Sequence, residues 1–167
     1  MIETIDYKGK SYPQFQASGN AARFILPFAM EVCKGKWGLD VGPHKVEWAF
    51  PGACRCDPAL GCGDAMDLTP CPQRVGWDYI FSSHVLEHLD DWVRVLDYWY
   101  TTIREGGTLF LYLPAYEQEY WRPWNNTKHK NILTPSIMYD YFIQKGFKKI
   151  FVSGVDLNCS FAIMGEK

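Results

Sequence analysis

The chain has 167 residues, of which 47% are hydrophobic and 22% charged, and these values suit one globular domain with a sizeable core. Its formal net charge of -2 provides no basic excess, so neither a nucleic-acid partner nor an anionic membrane surface is expected. No apolar run approaches the ~20 residues of a membrane span, and the N-terminus, MIETIDYKGK, lacks a signal-peptide core, which predicts a cytoplasmic protein.

Residues 1–36 are predicted to form an N-terminal extension. It begins with a loop or short hairpin around residues 8–10. Ser18 is then the predicted N-cap of a helix that runs to about Lys34. Pro27 lies within this helix and should kink or divide it, because proline removes a backbone hydrogen bond.

Four short apolar runs follow, and each is nearly continuous rather than alternating. They are WGLDV (37–41), GACRCD (52–57), WDYIFSS (77–83) and TLFLYLP (108–114). Such runs are typical of strands that are covered on both faces. Between the third and fourth runs, apolar residues recur at helical spacing after Asp90 and Asp91, which predicts a helix that ends at Gly106 and Gly107.

The C-terminal part is predicted to form one helix and two strands. Thr134 is the expected N-cap of the helix, with Pro135 in its first turn and Gly146 as its C-cap. The strands KKIFVS (148–153) and CSFAIMG (159–165) have too short a link for a crossover helix, so they should pair as an antiparallel hairpin. The whole pattern predicts an α/β fold in a single domain, with a Rossmann-like, mostly parallel sheet and helices on both faces.

Ligands of such sheets bind at the carboxyl ends of the strands. Gly42 follows the first predicted strand and would let a ligand approach the backbone. Asp57 ends the second strand, where a carboxylate can accept hydrogen bonds from a ribose diol. Asp64, beside the small Ala65, could bind an adenine amino group. The turn after the first strand, GPHKVEW, matches neither the dinucleotide-binding G-x-G-x-x-G nor a P-loop, so these features indicate an adenosine pocket without a phosphate cradle.

The order of these features resembles the class I S-adenosylmethionine-dependent methyltransferases, and in particular the small bacterial and phage-type methyltransferase-domain proteins. The resemblance covers about Gly35 to Gly165. The segments that carry it are GLDVG, PGACRCD, GDAMDL, FSSHVLEHL, EGGTLFLYLP and YWRPWNNTKHKNILTP. It implies methyl transfer with S-adenosylmethionine as the cofactor.

The resemblance also implies a set of cofactor-binding residues. They are Asp40, Gly42, Asp57, Asp64, Ala65, Ser82 and Ser83. Asp40 and Gly42 would face the methionine part of the cofactor, while Asp57 would take the ribose hydroxyls. Asp64 and Ala65 would contact the adenine, and the two serines would line the floor beside the sulfonium.

The sequence departs from the family pattern in two places. The family's first motif has a second glycine two positions after the first, and here that position is His44. Between Asp57 and Asp64 there is little room for a helix and a strand, so the sheet is predicted to be trimmed on the side of its second and third strands. The missing glycine keeps open the alternative of a catalytically inactive binding or regulatory module.

His84, Glu87 and His88 spell H-x-x-E-H, the inverted zinc-peptidase motif. A zinc hydrolase would need both histidines on one face of a regular helix, a third ligand and an open position for water. The motif instead begins directly at a strand end and is followed by a helix N-cap signal, so the hydrolase hypothesis ranks below methyl transfer. The cysteines of the C-x-C-x5-C segment at 54–62 lack the paired spacing of zinc knuckles and are interpreted as reduced thiols. The sequence therefore assigns no metal.

Candidate catalytic and acceptor-binding residues follow the predicted strand ends. His84 stands nearest the expected sulfonium and His129 lies in a later loop, and a neutral imidazole at either position could accept a proton from the acceptor. A packed core histidine and a solvated loop residue are the competing interpretations. Residues 115–133 are predicted to be an acceptor-side insert, or a lid whose aromatic rings pack down. The candidate acceptor contacts are Tyr116, Trp121, Trp124 and Asn126. This mixture would suit a sugar or another polar small molecule, and the oligomeric state is not predicted.

Overall fold

The protein consists of a six-stranded sheet with helices on both faces and a separate two-stranded sheet near its N-terminus. This computed structural model describes residues 2–71 and 76–167. The strands are β1 (Thr4–Tyr7), β2 (Lys10–Pro13), β3 (Gly38–Val41), β4 (Cys54–Cys56), β5 (Trp77–Ser83), β6 (Ile103–Pro114), β7 (Lys148–Val152) and β8 (Ser160–Glu166). The α-helices are α1 (Gln14–Ala17), α2 (Ala22–Val32), α3 (Trp92–Thr102) and α4 (Pro135–Lys145). Short 3-10 turns occur at Val46–Trp48, Pro58–Leu60, Leu86–His88 and Glu119–Trp121.

The strand order of the large sheet is β4-β3-β5-β6-β8-β7. β4, β3, β5 and β6 are parallel neighbours, whereas β8 is antiparallel to both β6 and β7. This topology confirms the predicted mostly parallel α/β sheet and its C-terminal antiparallel hairpin. Within the described ranges β4 is an edge strand, on the side where the spacing predicted the sheet to be trimmed.

The core is formed by two apolar layers, one on each face of the sheet. Alternate residues of β6 serve both layers: Leu109 and Leu111 face the layer that contains α3 and α4, while Phe110 and Tyr112 face the layer that contains α2. This alternation is the period of two that a strand imposes on its side chains. None of the helices in the described parts of the chain is long and apolar enough to cross a membrane.

Local capping signals fix the two helices next to the site. The Asp91 carboxylate accepts the N–H of Arg94 at 3.0 Å at the start of α3, and the Thr134 hydroxyl accepts the N–H of Ile137 at the start of α4. Gly146 ends α4 with a left-handed φ of 92°. These three caps confirm the predicted helix boundaries, because each depends only on residues close in sequence.

Two boundaries differ from the prediction. Ser18 does not cap α2; it ends α1, where its hydroxyl donates to the Phe15 carbonyl, and α2 begins at Ala22 without a side-chain cap. β6 begins at Ile103, directly after α3, because Ile103 is buried and pairs with Trp77 of β5. The strand β6 therefore begins five residues earlier than the sequence predicts.

Candidate active site

Polar residues from three neighbouring strands meet at one edge of the sheet. Asp40 lies in β3, Asp57 directly follows β4, and Ser83 ends β5. These strands are adjacent and parallel, so their carboxyl ends lie side by side, as expected for a ligand site in such a sheet.

A cleft of about 460 Å³ opens at this edge, a volume typical of small-molecule sites. We call it the strand-end cleft. Its lining includes Asp40, Gly42, Asp57, Asp64, Ala65 and Ser83. Six of the seven predicted cofactor residues are thus brought together. The seventh, Ser82, is buried and its hydroxyl donates to the Val41 carbonyl at 2.9 Å, so Ser82 packs against β3 instead of lining the cleft.

The turn after β3 has a special backbone conformation at two positions. Gly42 has a φ of 87°, and a Cβ added to it would lie 2.2 Å from Cγ2 of Val85, so a side chain fits at position 42 neither sterically nor conformationally. His44 has a φ of 60°. This left-handed conformation is the one that glycine adopts most readily, and histidine tolerates it better than most other residues.

Asp57 holds this turn in place. Its Oδ2 accepts the backbone N–H of His44 at 2.7 Å, and its Oδ1 accepts that of Ala59 at 2.7 Å. Asp57 is 7% exposed and lines the cleft. Each carboxylate oxygen has a second lone pair, so the side chain can still accept hydrogen bonds from a ligand.

Asp40 is the most deeply buried acid of the strand-end cleft. Its Oδ2 accepts the Phe50 N–H at 2.6 Å. Burial raises the pKa of its carboxyl to about 7, and the nearby charge of Asp57 acts in the same direction. A cationic ligand group would relieve both effects, because an opposite charge favours the ionised carboxylate.

The far side of the strand-end cleft is formed by the loop after β4. Asp64 is exposed, and its Oδ1 accepts the Met66 N–H at 2.6 Å in a tight turn. The carbonyl of Ala65 accepts the indole N–H of Trp99 at 2.8 Å, which anchors the loop to α3. On this side the cleft is therefore bordered by a loop and not by another strand of the sheet.

Two residues of the cleft lining also carry buried polar atoms without partners. The hydroxyl of Ser83 and Oδ1 of Asn20 are shielded from solvent and have no hydrogen-bond partner among the described residues. Together with the carboxylates of Asp40 and Asp57, they offer hydrogen-bond partners to a polar and partly cationic molecule. S-adenosylmethionine, which has a sulfonium, an ammonium and two ribose hydroxyls, fits this set.

The H-x-x-E-H segment does not form a regular helix. His84 has a φ of 56°, and only the 3-10 turn Leu86–His88 follows it. The two histidines therefore do not lie one α-helical turn apart on a common face, which the zinc-hydrolase interpretation requires. That interpretation is wrong for this fold.

His84 is a partly buried, neutral imidazole directly after β5. Burial, followed by the charges of His129 and His88, lowers its pKa to about 3. Its Nε2 lies 3.0 Å from Ser160 Oγ, and that hydroxyl accepts from Gln16 Nε2 and donates to the Asn158 carbonyl. The Ser160 hydroxyl can either accept from Nε2 or donate to it, depending on which ring nitrogen of His84 carries the proton.

A second cleft, of about 790 Å³, adjoins the first. We call it the hairpin cleft, because β1 and β2 supply Ile5, Tyr7 and Tyr12 to its wall. The sequence did not predict this contribution of the N-terminal hairpin. The two clefts share the lining residues Gly19, Ala21, His44, His84 and His88.

The predicted acceptor contacts divide between this cleft and the surface. Trp121, Asn126 and the catalytic candidate His129 line the hairpin cleft. Trp124 is 62% exposed, and Arg122 lies over both its ring and that of Tyr116, which is also exposed. Trp124 and Tyr116 lie outside the lining of the hairpin cleft, so the structure brings only part of the predicted set together.

His129 is 3% exposed and its ring stacks on Trp121, with ring centroids 4.9 Å apart. Its Nδ1 lies 2.7 Å from the Trp121 carbonyl. Since a carbonyl can only accept, Nδ1 carries the proton and Nε2 the lone pair. Burial lowers the pKa of His129 to about 4, with His88 as a further cause.

The comparison with protein families decides the identity. The model of a methyltransferase domain family matches residues 18–111, more than half of the chain. The chain belongs to this methyltransferase family. The family and the fold confirm the predicted class I S-adenosylmethionine-dependent methyltransferase, with S-adenosylmethionine as its cofactor. A search among curated proteins finds no match.

Solved methyltransferase structures share the fold of this methyltransferase at low sequence identity. An S-adenosylmethionine-dependent methyltransferase of Thermotoga maritima has a TM-score of 0.67 at 16% identity, with 92% of each chain covered. One from Archaeoglobus fulgidus has a TM-score of 0.67 at 13% identity, with 87% of this chain and 92% of the other covered. Human N-acetylserotonin methyltransferase, solved with S-adenosylmethionine, has a TM-score of 0.63 at 15% identity, with 92% and 55% covered.

Proposed function

We propose that this methyltransferase methylates a polar small molecule, such as a sugar-like compound, that binds in the hairpin cleft. The observation that carries the proposal is the shared border of the two clefts, which includes His44, His84 and His88. A molecule in the hairpin cleft therefore lies next to a cofactor in the strand-end cleft. Such adjacency is the first requirement for direct group transfer.

The cofactor is assigned to the strand-end cleft. Asp57 would accept the ribose hydroxyls, and Asp40 beside Gly42 would face the methionine end. Asp64 and Ala65 would border the adenine. Ser83 would line the floor beside the sulfonium, whereas Ser82 packs against β3 and takes no part. When bound, S-adenosylmethionine supplies a methyl group that its sulfonium has already activated.

The walls of the hairpin cleft support a flat or ring-shaped polar acceptor. Tyr7, Tyr12 and Trp121 present aromatic surface, while Asn126 and Lys128 add polar groups. Aromatic faces with a few polar groups are a common arrangement for binding sugars and other polar ring compounds. The hairpin also covers the cleft, which helps to exclude water from the reacting atoms.

His84 is assigned as the group that accepts the acceptor's hydrogen bond and its proton, and His129 is the second candidate. The low pKa of His84 keeps the imidazole neutral, although it also makes the ring a weaker base than a free histidine, and a neutral ring has one nitrogen with a free lone pair. A neutral histidine beside the nucleophile can act as a general base.

The test separates cofactor binding from transfer with the variant His84→Asn, because asparagine tolerates the positive φ at this position. S-adenosylhomocysteine affinity, measured by calorimetry, should stay within about threefold of the parent. Transfer of a labelled methyl group to a panel of sugars, catechols and amines should fall by roughly 10²- to 10⁴-fold, the usual contribution of a general base.

The control is Tyr139→Phe, on the exposed face of α4, which should change neither quantity. If the parent transfers no methyl group to any small molecule but does methylate protein or nucleic acid, the proposed acceptor class is wrong. If His84→Asn transfers at the parental rate, His84 is not the base.

The proposed setting remains the cytoplasm. All six cysteines are free, the form that cysteines take in a reducing compartment.

A further inference from the structure

Three side chains that can ligate a metal converge where the two clefts meet. Glu87 and His88 lie in the 3-10 turn after β5, and His129 lies in the loop before α4. One ligand atom of each lies within 4.8 Å of those of the other two, and Glu87 Oε1 is 3.8 Å from His88 Nε2. Within residues 2–71 and 76–167, no other three histidine, cysteine or acidic side chains converge in this way.

Backbone hydrogen bonds fix the two segments that carry these side chains. The N–H groups of Lys130 and Asn131 both donate to the Glu87 carbonyl, at 2.6 and 3.1 Å. The side-chain amide of Asn131 donates to the carbonyls of Leu86 and Leu89. His129 is therefore held against the Glu87 turn by its own neighbours in sequence.

Both histidines are oriented as metal-binding histidines usually are. His88 Nδ1 lies 2.9 Å from the Lys128 carbonyl, and His129 Nδ1 lies 2.7 Å from the Trp121 carbonyl. Each Nδ1 must donate to its carbonyl, which leaves the lone pair on Nε2. A backbone carbonyl that accepts from the other ring nitrogen, and so fixes the tautomer, is typical of histidines that bind metals.

Glu87 lacks the partners that a buried carboxyl group requires. It is 1% exposed, and neither of its oxygens has a hydrogen-bond partner in the described part of the chain. The nearest ring nitrogens, His84 Nδ1 and His88 Nε2, lie 3.8 Å from Oε1. His88 Nε2 carries a lone pair, because its Nδ1 donates to the Lys128 carbonyl. Carboxylate oxygens and imidazole lone pairs thus surround the same space, an arrangement that a cation would stabilise.

We propose that Glu87, His88 and His129 bind one divalent transition-metal ion of the zinc class. Two imidazole nitrogens and one carboxylate suit Zn²⁺ and its first-row neighbours better than Mg²⁺ or Ca²⁺, which prefer oxygen ligands. Metal–ligand bonds of about 2.0–2.2 Å would draw the three ligand atoms closer than they lie here. Three protein ligands are also the number found in catalytic zinc sites, which keep a further position open.

The coordination positions of the metal that the protein leaves open would be occupied by the acceptor. All three ligands line the hairpin cleft, and His88 also borders the strand-end cleft. A hydroxyl bound to a divalent ion loses its proton more readily. Given the proposed methyl transfer, this geometry narrows the acceptor to molecules with a hydroxyl group, and two adjacent hydroxyls would chelate the ion best.

Metal binding can be measured without the acceptor. Protein freed of metal by dialysis against a chelator is titrated with Zn²⁺ by calorimetry and with Co²⁺ by visible absorption. The parent should take up one equivalent of each ion and show Co²⁺ ligand-field bands. Glu87→Gln keeps the shape of the side chain but loses its charge. This variant and His129→Ala should each lower Zn²⁺ affinity by roughly a hundred-fold or more, because loss of a residue that merely hydrogen-bonds to a metal ligand already costs up to about that much.

His44→Asn is the matched control, because His44 is a histidine that borders both clefts but lies outside the ligand set. Its Zn²⁺ affinity should equal that of the parent. S-adenosylhomocysteine affinity is measured for Glu87→Gln and His129→Ala and should stay within about threefold of the parent, which shows that both variants are folded. Acetohydroxamate, a chelating oxygen ligand, should shift the Co²⁺ spectrum by occupying the open positions.

The outcomes separate the metal site from the proposed function. Absence of Co²⁺ bands, or equal Zn²⁺ affinity in the parent and Glu87→Gln, overturns the metal site even if S-adenosylhomocysteine binds. A Co²⁺ spectrum that acetohydroxamate leaves unchanged overturns the open positions and the acceptor assignment. One equivalent of Co²⁺ in a protein that binds no S-adenosylhomocysteine supports the metal site and contradicts the proposed function.

Discussion

The carboxylate of Asp57 both stabilises the turn after β3 and is available to bind a ligand. Its two oxygens accept the N–H groups of His44 and Ala59, and the residue also lines the strand-end cleft. From its strand-end position alone, this carboxylate would be expected to contribute little to the core, so that the fold survives its loss. The two backbone contacts correct that expectation, because an unpaired buried N–H group costs about 1–3 kcal/mol.

Asp57→Asn should therefore weaken both cofactor binding and stability. The amide oxygen can replace only one of the two acceptors, and charge-assisted hydrogen bonds to ribose hydroxyls are worth about 1.5–3 kcal/mol. S-adenosylhomocysteine affinity should fall roughly ten- to a hundred-fold, measured by calorimetry beside a denaturant titration.

Asp67→Asn is the control for Asp57→Asn. Asp67 also accepts a backbone N–H two residues on, from Thr69, but it lies outside the lining of the strand-end cleft. It should keep parental cofactor affinity. Parental affinity in Asp57→Asn itself would show that the ribose does not bind at the end of β4.

Sequence spacing predicts residues at strand ends well, because the ends of parallel strands meet wherever the sheet forms. Asp40, Gly42 and Asp57 were found in this way. The conformation of His44 was not predictable, since its positive φ follows from the packing of the whole turn. The approach of His129 to His88 was equally hidden, because the fold alone brings those two segments together.

At the scale of elements, helix boundaries set by local capping residues were predicted correctly, whereas boundaries set by tertiary packing were not. The caps Asp91, Thr134 and Gly146 act over a few residues, and the helix boundaries that they predict are confirmed. The early start of β6 at Ile103 and the displaced role of Ser18 depend on packing against other elements. The same is true of the N-terminal hairpin, whose contact with the 3-10 turn Glu119–Trp121 has no signature in the sequence.

The hairpin is held over its cleft by Tyr120. Its hydroxyl donates to the Tyr7 carbonyl at 2.7 Å, and its ring meets those of Tyr7 and Tyr12 edge-on at 4.6 and 5.4 Å. Tyr120→Ala removes all three contacts. Amide hydrogen exchange in β1 and β2 should become at least about tenfold faster, because one such aromatic pair and a hydrogen bond contribute about 1–3 kcal/mol.

S-adenosylhomocysteine affinity should stay within about threefold in Tyr120→Ala, since Tyr120 lies outside the lining of the strand-end cleft. Tyr139→Ala, an equally large truncation on the exposed face of α4, should leave exchange in the hairpin unchanged. Unaltered protection of β1 and β2 in Tyr120→Ala would mean that other contacts hold the hairpin in place.

At the scale of the whole molecule, two buried acids and two strained backbone positions lie at the carboxyl edge of the sheet. Burial raises the pKa of Asp40 to about 7 and that of Glu87 to about 8, and the positive φ values of His44 and His84 occur at the same edge. The two apolar layers on either side of the sheet supply the stability that such features cost. Global stability should consequently depend on pH through these buried acids.

Asp40→Asn isolates one of these contributions. The folded-state pKa of Asp40, about 7, lies above its ordinary value of 3.8, so the folded protein binds the extra proton. The stability due to the protonated form is therefore complete below about pH 4 and is lost as the pH rises through 7. A shift of this size corresponds to a loss on the order of 4 kcal/mol.

The free energy of unfolding of Asp40→Asn minus that of the parent should thus increase between pH 4 and pH 7 and level off above pH 8. Three other titratable groups interact with Asp40. Burial raises the pKa of Cys33 and of Tyr79 to about 12, so neither titrates in this window. The third group, Asp57, is present in both proteins. Denaturant titrations at intervals of one pH unit measure the difference. Asp140→Asn, an exposed site on α4, should show no comparable rise. A flat difference for Asp40→Asn would mean that the carboxyl group is ionised in the folded protein throughout the range, stabilised by more than the single N–H of Phe50.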